Sequence, residues 1–360
     1  MTPAPGDRTA RLRAALAEAG YDGYLTQHGA DIFHLTGSTG FPAVAYVPAA
    51  GRPEPCRLVV PLADRALAVA PSDYELLSQG MAETWEAVAG PGLRAAAPGR
   101  LTGRGLGAGL ARLVAEVAGA ADDGAFLERL RRGLGRDAAE RQGLERARRI
   151  AEAGVRALWA EVRPGVRECD LAAIAEGAMR QAGADPIHTT RLGTGPRSAG
   201  ANANPSLRML QAGDMGFVDL HPEWEGYGGD ITRPFQLGEQ SAEQWRITDV
   251  LRRVQEAAIA LLRPGLTGAE VYERVCALFA EEGLAQCFTH HVGHPLGGMS
   301  HPQLRPGEGD ALVVGDIVTV EPGLYVPGIG GIRIEDNVEV TAGDPVVLTS
   351  DLPKWLQVPA

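Results

Sequence analysis

The stretch MGFVDLHPEWEGYGGDITRPF, residues 215–235, decides the fold of this 360-residue chain. An apolar strand pattern runs up to Asp219, a Gly-rich turn follows, and a second strand pattern begins beside Asp230. Because a turn of this kind folds the chain back as a hairpin, the two carboxylates are expected to meet on adjacent strands. A single acid at a strand end is usually a solvated edge charge, so the role of this pair depends on its neighbours.

A second pair of acids repeats the arrangement further along the chain. Glu321 follows the apolar run DIVTV and Glu335 lies in IRIEDNVEV, with VPGIGG as the turn between them. His294 lies in HHVGHPLGG, where flanking glycines let the backbone approach a metal closely. Four acids among apolar strand residues would repel one another severely unless cations neutralised them.

Four acids and one imidazole suit a pair of divalent metals bridged by carboxylates and a water. The predicted ligands are Asp219, Asp230, His294, Glu321 and Glu335. Such a metal pair can produce a hydroxide nucleophile at neutral pH and polarise a carbonyl, so the sequence indicates hydrolysis.

Histidines are concentrated beside these acids. Four of the eight histidines in the chain lie within residues 290–301. A lone histidine is more often a structural residue than a ligand, but a cluster next to acids favours a functional site. We expect His290 and His301 to hydrogen-bond a substrate or to stabilise a tetrahedral oxyanion.

Helix patterns recur one hundred positions apart. Arg163-Pro164-Gly165 matches Arg263-Pro264-Gly265, Gly183 matches Gly283, and a β-rich segment follows each helix pair. Capping boxes at Ser241–Gln244 and Thr267–Glu270 open the later helices. The repeated RPG could be chance helix punctuation, but the matched helices and glycines favour a duplicated α-plus-β half.

The chain is long for one hydrophobic core, which favours two domains. Residues 1–135 alternate helix and strand, with a helix in ARLRAALAEAG that stops at Gly20 and strands in YDGYLTQ, AVAYVP and RLVVPL. The stretch from about residue 90 to 135 is rich in glycine and alanine and weakly patterned, so we place the boundary there, with the second domain at 136–360.

Composition excludes several classes of partner. A net charge of −11 argues against nucleic acid or an anionic membrane surface. No apolar signal core or membrane-spanning stretch is evident, so a cytoplasmic protein is expected. The four cysteines form no CxxC pair and are expected to be small buried side chains.

Taken together, the segments resemble the pita-bread metallopeptidase family of aminopeptidase P, prolidase, methionine aminopeptidase and the metal-free creatinase. In chain order the matching segments are the Asp219 strand, Asp230-Ile-Thr-Arg233, Gly293-His294-Pro-Leu-Gly297, Glu321-Pro-Gly-Leu-Tyr325 and Arg333-Ile-Glu335-Asp336. Five matches in the right order make the resemblance specific over residues 137–355. It extends more weakly to the N-terminal part through DIFHLTG, residues 31–37.

The resemblance implies an α+β fold: a C-terminal pita-bread domain with an internal pseudo-two-fold duplication, after a smaller α/β creatinase/prolidase-like domain. It implies that Asp219 chelates one metal, that Asp230 and Glu335 bridge two, and that His294 and Glu321 hold the second. Glu321 would also orient or deprotonate the attacking water.

The resemblance also assigns the remaining site residues and the cofactor. His290 and His301 would face the substrate and, with Glu321, form the catalytic set. Substrate binding would fall to Asn202, Tyr325 and Arg333, and Arg333 would also brace the bridging carboxylates. The oxygen-rich ligands suit two divalent ions per chain, manganese or cobalt first, with iron or zinc possible.

Three departures from the family pattern bear on specificity. A histidine usually precedes the first Asp by about seventeen positions, where this chain has Asn202. Asparagine can donate and accept hydrogen bonds but cannot shuttle a proton near neutral pH. His221 replaces a usually small residue, and Pro302 stands where an acid is frequent.

Three functions remain open from the sequence. The first is an Xaa-Pro peptidase, either a dipeptidase or an aminopeptidase, acting as a homodimer on small peptides. The second is a hydrolase or lyase of the same fold acting on a small non-peptide amide, similar to ectoine hydrolase or dimethylsulfoniopropionate lyase, which the missing histidine favours. The third is a catalytically inactive binding protein, which the full set of ligands disfavours.

Overall fold

The computed structural model describes residues 5–26, 29–36, 44–48, 51, 57–62, 65–69, 101–104 and 126–359. The chain divides into two compact units, Met1–Ala139 and Glu140–Ala360. The boundary predicted near residue 136 stays a prediction, because most of the weakly patterned stretch that suggested it lies outside the described residues.

The first unit combines a five-stranded sheet with helices. Its strands are β1 (Gly23–Thr26), β2 (Val44–Pro48), β3 (Arg57–Leu62), β4 (Arg65–Val69) and β5 (Leu101–Arg104), in the order β4-β3-β2-β1-β5. Its helices are α1 (Pro5–Glu18), α2 (Gly29–Thr36) and α3 (Phe126–Leu134). The predicted strands are all present, and Gly20, at a φ of 73°, ends α1 as expected. The DIFHLT part of the N-terminal motif lies in α2.

Two helix pairs cover the second unit and confirm the predicted duplication. They are α4 (Ala138–Trp159) with α5 (Glu168–Gln181), and α6 (Ala242–Leu261) with α7 (Gly268–Glu281). The amide of Gly165 donates to Leu210 O at 2.8 Å, and that of Gly265 donates to Leu312 O at the same distance. Both capping boxes predicted for α6 and α7 are formed. The two halves therefore share a hydrogen-bond pattern as well as a sequence pattern.

The strands of the second unit follow each helix pair in the chain. After the first pair come β6 (Ile187–Thr194), β7 (Met215–Trp224), β8 (Tyr227–Gly228) and β9 (Ile231–Leu237), and after the second come β10 (Ile317–Val320), β11 (Gly323–Val326), β12 (Gly330–Arg333), β13 (Asp336–Glu339), β14 (Val346–Val347) and β15 (Leu356–Val358). Strand orders are β15-β9-β7-β6, β10-β13-β14 and β11-β12, and β8 pairs with β7.

The hairpin predicted from residues 215–235 is confirmed. Trp224 pairs with Tyr227, and the two residues between them, Glu225 and Gly226, have φ values of 47° and 81°. Two positive φ values give the turn the twist of the flanking strands. Further along the hairpin Asp219 pairs with Thr232, which places Asp219 beside Asp230.

The strand run DIVTVEPGLYV is interrupted, and so is IRIEDNVEV. β10 pairs with β13 and β11 with β12, so Val320 lies opposite Asp336 and Gly323 lies opposite Arg333. Pro322 has no amide proton for a ladder, which accounts for the break after Glu321. Glu321 and Glu335 therefore lie in the two strand breaks, Glu321 between β10 and β11 and Glu335 between β12 and β13.

Each half buries its own hydrophobic core against its sheet. One core joins α4 and α5 to β7 and β9 and includes Phe235; the other joins α6 and α7 to β10 and β13 and includes Phe279. Of the helices within the described residues, none is long and apolar enough to cross a membrane. Cys169, Cys276 and Cys287 are free thiols, and Cys56 lies outside the described residues.

Candidate metal centre

The fold brings the five predicted ligands together. His294 Nε2 lies 3.1 Å from Asp230 Oδ2 and 3.3 Å from Glu321 Oε1. Thr232, the ladder partner of Asp219, donates a hydrogen bond from Oγ1 to Glu335 Oε2 at 2.9 Å. The four acids are almost fully buried, at 7% exposure or less. Their convergence at the junction of β7, β9 and the two strand breaks is the arrangement that the sequence predicted.

Three of these carboxylates share a pattern that fits a cation. Asp219, Asp230 and Glu335 each direct one oxygen at a protein group, respectively Arg333, His294 and Thr232. Within the described part of the chain the other oxygen of each is buried and has no hydrogen-bond partner. Two of these oxygens lie near His221, at 3.0 Å for Asp219 Oδ1 and 3.2 Å for Asp230 Oδ1, and because buried carboxylate oxygens without hydrogen bonds are costly, the group fits a cation.

The electrostatics of the acids show strong mutual repulsion. Burial, followed by Asp230 and Glu321, raises the pKa of Glu335 well above its ordinary value. Burial also raises the pKa of Glu321 to about 7, with a contribution from Asp230. Burial opposes ionisation of Asp219 as well, but Arg333 and His221 together outweigh it and lower the pKa of that carboxyl. Burial and neighbouring acids therefore oppose ionisation of Glu321 and Glu335, whereas the cationic neighbours of Asp219 favour its ionised form.

His294 is oriented by its backbone surroundings. Its Nδ1 lies 3.2 Å from Pro295 O, so Nδ1–H donates there and Nε2 faces the acids. The Thr319 amide donates to His294 O at 2.8 Å, which holds the loop against β10. Gly293 is required for this approach, because a Cβ there would lie 1.9 Å from Thr319 O. Steric crowding therefore explains why the residue before His294 is a glycine.

Arg333 links the acids to the predicted substrate side. Its Nη2 donates to Asp219 Oδ2 at 2.5 Å, and its Nη1 donates to the Tyr325 hydroxyl at 3.1 Å. The Tyr325 hydroxyl lies 2.9 Å from His290 Nε2, while His290 Nδ1 lies 2.8 Å from His291 O. His290 therefore donates through Nδ1 and accepts the Tyr325 proton at Nε2.

Burial keeps His290 and Tyr325 in their neutral forms. Burial and the nearby Arg333 lower the pKa of His290 to about 3. Burial raises the pKa of Tyr325 to about 12, against the opposing charge of Arg333. Both groups are neutral near pH 7, which is the state that the two hydrogen bonds require.

Two predicted substrate residues, His301 and Asn202, have surroundings of their own. His301 Nδ1 lies 2.9 Å from Glu308 Oε2, an acid that was not among the predicted site residues. The Asn202 side chain is exposed, and the neighbouring Ala201 carbonyl accepts a hydrogen bond from Arg333 at 3.2 Å. The loop therefore reaches the site through its backbone, and the substrate roles of Asn202 and His301 stay predictions.

Comparisons with known proteins agree with this geometry. The model of metallopeptidase family M24 matches residues 142–342, more than half of the chain. This chain belongs to family M24. The resemblance and the fold class predicted from the sequence are thereby confirmed.

Curated relatives of this M24 chain carry peptidase names. It is 33% identical to the Xaa-Pro dipeptidase of Pyrococcus horikoshii over 209 residues, which cover 57% of this chain and 60% of that protein. It is 36% identical to the probable dipeptidase PepE of Mycobacterium tuberculosis over 198 residues, 54% of this chain and 52% of the relative. The matches thus span little more than half the length of these relatives.

Solved M24 structures match over nearly the whole chain. The Xaa-Pro dipeptidase from Bacillus anthracis superposes with a TM-score of 0.80 and 26% identity, covering 98% of this chain and all of that one. Dipeptidase PepE from Mycobacterium ulcerans gives a TM-score of 0.80 and 27% identity over 99% of this chain and 98% of that one.

One residue of this M24 site was not among the predicted ligands. His221 Nε2 lies 3.0 Å from Asp219 Oδ1, and its Nδ1 lies 3.2 Å from Asp230 Oδ1. Burial alone would lower the pKa of His221, but Asp230 and Asp219 outweigh it and raise it to about 12. The sequence did contain a signal for this contact, because residues two apart on a strand such as β7 lie on the same face of the sheet.

Proposed function

We propose that this M24 protein is a metal-dependent hydrolase that cleaves the bond before proline in small peptides, as a dipeptidase or an aminopeptidase. The observation that carries the proposal is the convergence of three orphaned carboxylate oxygens with His294 and Glu321 in one buried site. Relatives that are named Xaa-Pro dipeptidase support the assignment of Xaa-Pro peptides as substrates.

The proposed centre holds two divalent ions, manganese or cobalt first, with iron or zinc as alternatives. Asp219 would hold the first ion, Asp230 and Glu335 would bridge, and His294 with Glu321 would hold the second. When bound, the ions supply an activated water and polarise the substrate carbonyl.

Glu321 has the properties of a residue that moves a proton. The Thr319 hydroxyl donates to its Oε1 at 2.9 Å and fixes its orientation. Its carboxylate is buried beside His294, where it can orient a water and accept a proton from it. We assign to Glu321 the removal of a proton from the attacking water.

His290 and Tyr325 are assigned to binding of the substrate carbonyl. Arg333 donates to the Tyr325 hydroxyl, which in turn donates to His290, so the three side chains fix one another. Because the protons of Tyr325 and His290 are engaged in this chain, we propose that a substrate carbonyl would take the place of one of these acceptors while the other bonds hold the donor in position. We assign His301, which Glu308 orients, to the substrate from the opposite side.

The test is a substrate panel with the metal-reconstituted protein. Xaa-Pro dipeptides, Xaa-Pro tripeptides, the matching Xaa-Ala peptides and small amides would be compared by kcat/KM. We expect Xaa-Pro peptides to be cleaved and Xaa-Ala peptides to be cleaved at least tenfold less efficiently. Turnover of small amides without cleavage of any Xaa-Pro peptide would contradict the peptidase proposal.

A second candidate is a hydrolase of a small non-peptide amide, and Asn202 favours it. The side chain is exposed at the position where family peptidases usually carry a histidine, and it cannot shuttle a proton. The variant Asn202→His separates the two candidates. A large gain in Xaa-Pro cleavage would favour the non-peptide substrate for the native protein, and an unchanged rate would show that Asn202 does not occupy the position of the family histidine.

The remaining proposals concern the whole chain. We propose that residues 1–135 form a creatinase/prolidase-like domain, that residues 136–360 form the catalytic domain, and that the protein acts in the cytoplasm as a homodimer. Sedimentation equilibrium would test the dimer, since a monomer mass at micromolar concentration would contradict it.

A further inference from the structure

We propose that His221 is a sixth protein ligand of the metal centre, which gives the first ion an imidazole that the family pattern does not supply. The inference rests on the proposed two-metal centre and adds to it a residue found only through the structure.

Strand geometry aims His221 at the site. His221 follows Asp219 by two positions on β7, so both side chains lie on the same face of the sheet. The ladder continues through this point, with Asp219 opposite Arg191 and His221 opposite Thr189 on β6. The register shifts just beyond His221, between Thr189 and Ile187, but it is regular from Asp219 to His221, so the two side chains share a face of β7.

The distance between His221 Nε2 and Asp219 Oδ1 is that of two donors sharing one cation, while the other ring nitrogen points away from that position and meets Asp230 separately. Two donor atoms that each lie about 2.1 Å from an ion, at a right angle, are separated by about 3.0 Å. His221 Nε2 lies 3.0 Å from Asp219 Oδ1, and its Nδ1 lies 3.2 Å from Asp230 Oδ1. The proposed second position has the same spacing, with His294 Nε2 3.1 Å from Asp230 Oδ2.

In the part of the chain that the structure describes, the close contacts leave three of these atoms without a hydrogen bond. Among the described residues, His221 Nε2, Asp219 Oδ1 and Asp230 Oδ1 are all buried and lack a hydrogen-bond partner, despite their close approach. A cation held between His221 Nε2 and Asp219 Oδ1 would satisfy both atoms, and this is the position that we propose for the first metal.

An imidazole at this position changes the character of the centre. Without His221 the first ion has only the carboxylates Asp219, Asp230 and Glu335, whereas the second has His294. With His221 each ion has one imidazole and a share of the bridging carboxylates. Imidazole ligands favour cobalt, iron and zinc over manganese, so the two positions should have similar affinities for the former metals.

The competing account makes His221 a fixed cation that fills the first position and leaves room for one metal. The two accounts predict opposite effects of removing the ring. If His221 is a ligand, its removal weakens one site; if it is a substitute cation, its removal creates a site.

The experiment titrates cobalt(II) into the metal-free full chain and into His221→Gly, with bound metal measured by equilibrium dialysis and by visible absorption. Gly restores the small residue usual in the family, and His221→Asp supplies a different ligand at the same place. The matched control is His188→Ala, which removes an exposed histidine that contacts Glu223 from the neighbouring strand β6. Circular dichroism and the melting temperature establish that each variant is folded.

We expect two equivalents in the wild type with affinities within about tenfold of each other. In His221→Gly, one equivalent weakens by at least about tenfold and the visible bands change, while His221→Asp recovers much of the affinity. Identical titrations of wild type and His221→Gly, or a higher stoichiometry in the variant, would overturn the inference and leave the two-metal proposal standing. A wild type that binds no cobalt would overturn both.

Discussion

Arg333 and Asp219 form a buried ion pair in which one carboxylate oxygen is held and the other is left for a ligand. Arg333 Nη2 lies 2.5 Å from Asp219 Oδ2, and both side chains are at most 5% exposed. The Arg333 guanidinium also donates to Thr232 and Tyr325, so three neighbours fix its plane. Asp219 is therefore presented to the metal position in one orientation.

Arg333→Lys should weaken metal binding by about 10–100-fold, because an ammonium group cannot hold three partners in one plane. Isothermal titration with cobalt(II) measures the effect. Arg263→Lys, at an exposed arginine next to Asp344, is the control and should bind as the wild type does. Unchanged affinity in Arg333→Lys would contradict the bracing role.

Tyr325→Phe should lower kcat more than it raises KM. The change removes the hydroxyl that joins Arg333 to His290 and leaves the ring packed edge-on against Phe217, at a centroid distance of 6.1 Å. Loss of one preorganised hydrogen bond in a site of this kind costs about 1–3 kcal/mol. Steady-state kinetics with an Xaa-Pro dipeptide provides the measurement, and a variant with wild-type kcat would refute the role.

Gly293→Ala should destabilise the folded protein by about 2–3 kcal/mol, because the new Cβ would lie 1.9 Å from a backbone oxygen that cannot move away. Urea unfolding followed by circular dichroism gives the change in free energy. Gly177→Ala is the matched control: in the described residues a Cβ there meets no atom within 4 Å, and helix α5 should gain up to about 1 kcal/mol. Equal stability of the two variants would contradict the steric account.

Stability should also depend on pH through Asp336. Burial opposes its ionisation, but Arg233 and Lys354, the only lysine in the sequence, outweigh burial and lower the pKa of Asp336 to about 2. A carboxyl group with a lowered folded-state pKa stabilises the protein fully above its unfolded value of 3.8, and that stability, on the order of 2 kcal/mol, is lost as the pH falls toward 2.

The variant Lys354→Met tests this dependence. Removing the ammonium group raises the folded-state pKa of Asp336, so acid unfolding should begin at a higher pH than in the wild type. Lys354→Arg keeps the charge and serves as the control. An acid-unfolding midpoint that does not move in Lys354→Met would show that Asp336 does not govern this transition.

Local signals in the sequence predicted much of the second unit. The helix pairs were readable because Gly165, Gly265 and the capping boxes mark their boundaries, and the hairpin because Gly226 supplies one of its two positive φ values. The breaks at Glu321 and Glu335 were not foreseen. They depend on which strand pairs with which, and pairing across the sheet is not encoded in a single segment.

The site shows the same division between local and long-range information. The five predicted ligands could be identified because each lies in a short motif that has glycine, proline or a strand pattern beside it. His221 was noted only as an unusual residue, although its spacing from Asp219 on a strand gives the shared face. The contact between His301 and Glu308 depends on the path of the loop, which no period in the sequence specifies.

The most direct test of the central claim is the amount of divalent metal bound per chain. The metal-free protein would be dialysed against cobalt(II) or manganese(II) and the bound metal measured by atomic emission, beside the variant Asp230→Ala. We predict two equivalents in the wild type, with both metal binding and activity abolished in Asp230→Ala, because Asp230 faces both positions. A wild type that binds no metal, or a variant that binds as the wild type does, would contradict the claim.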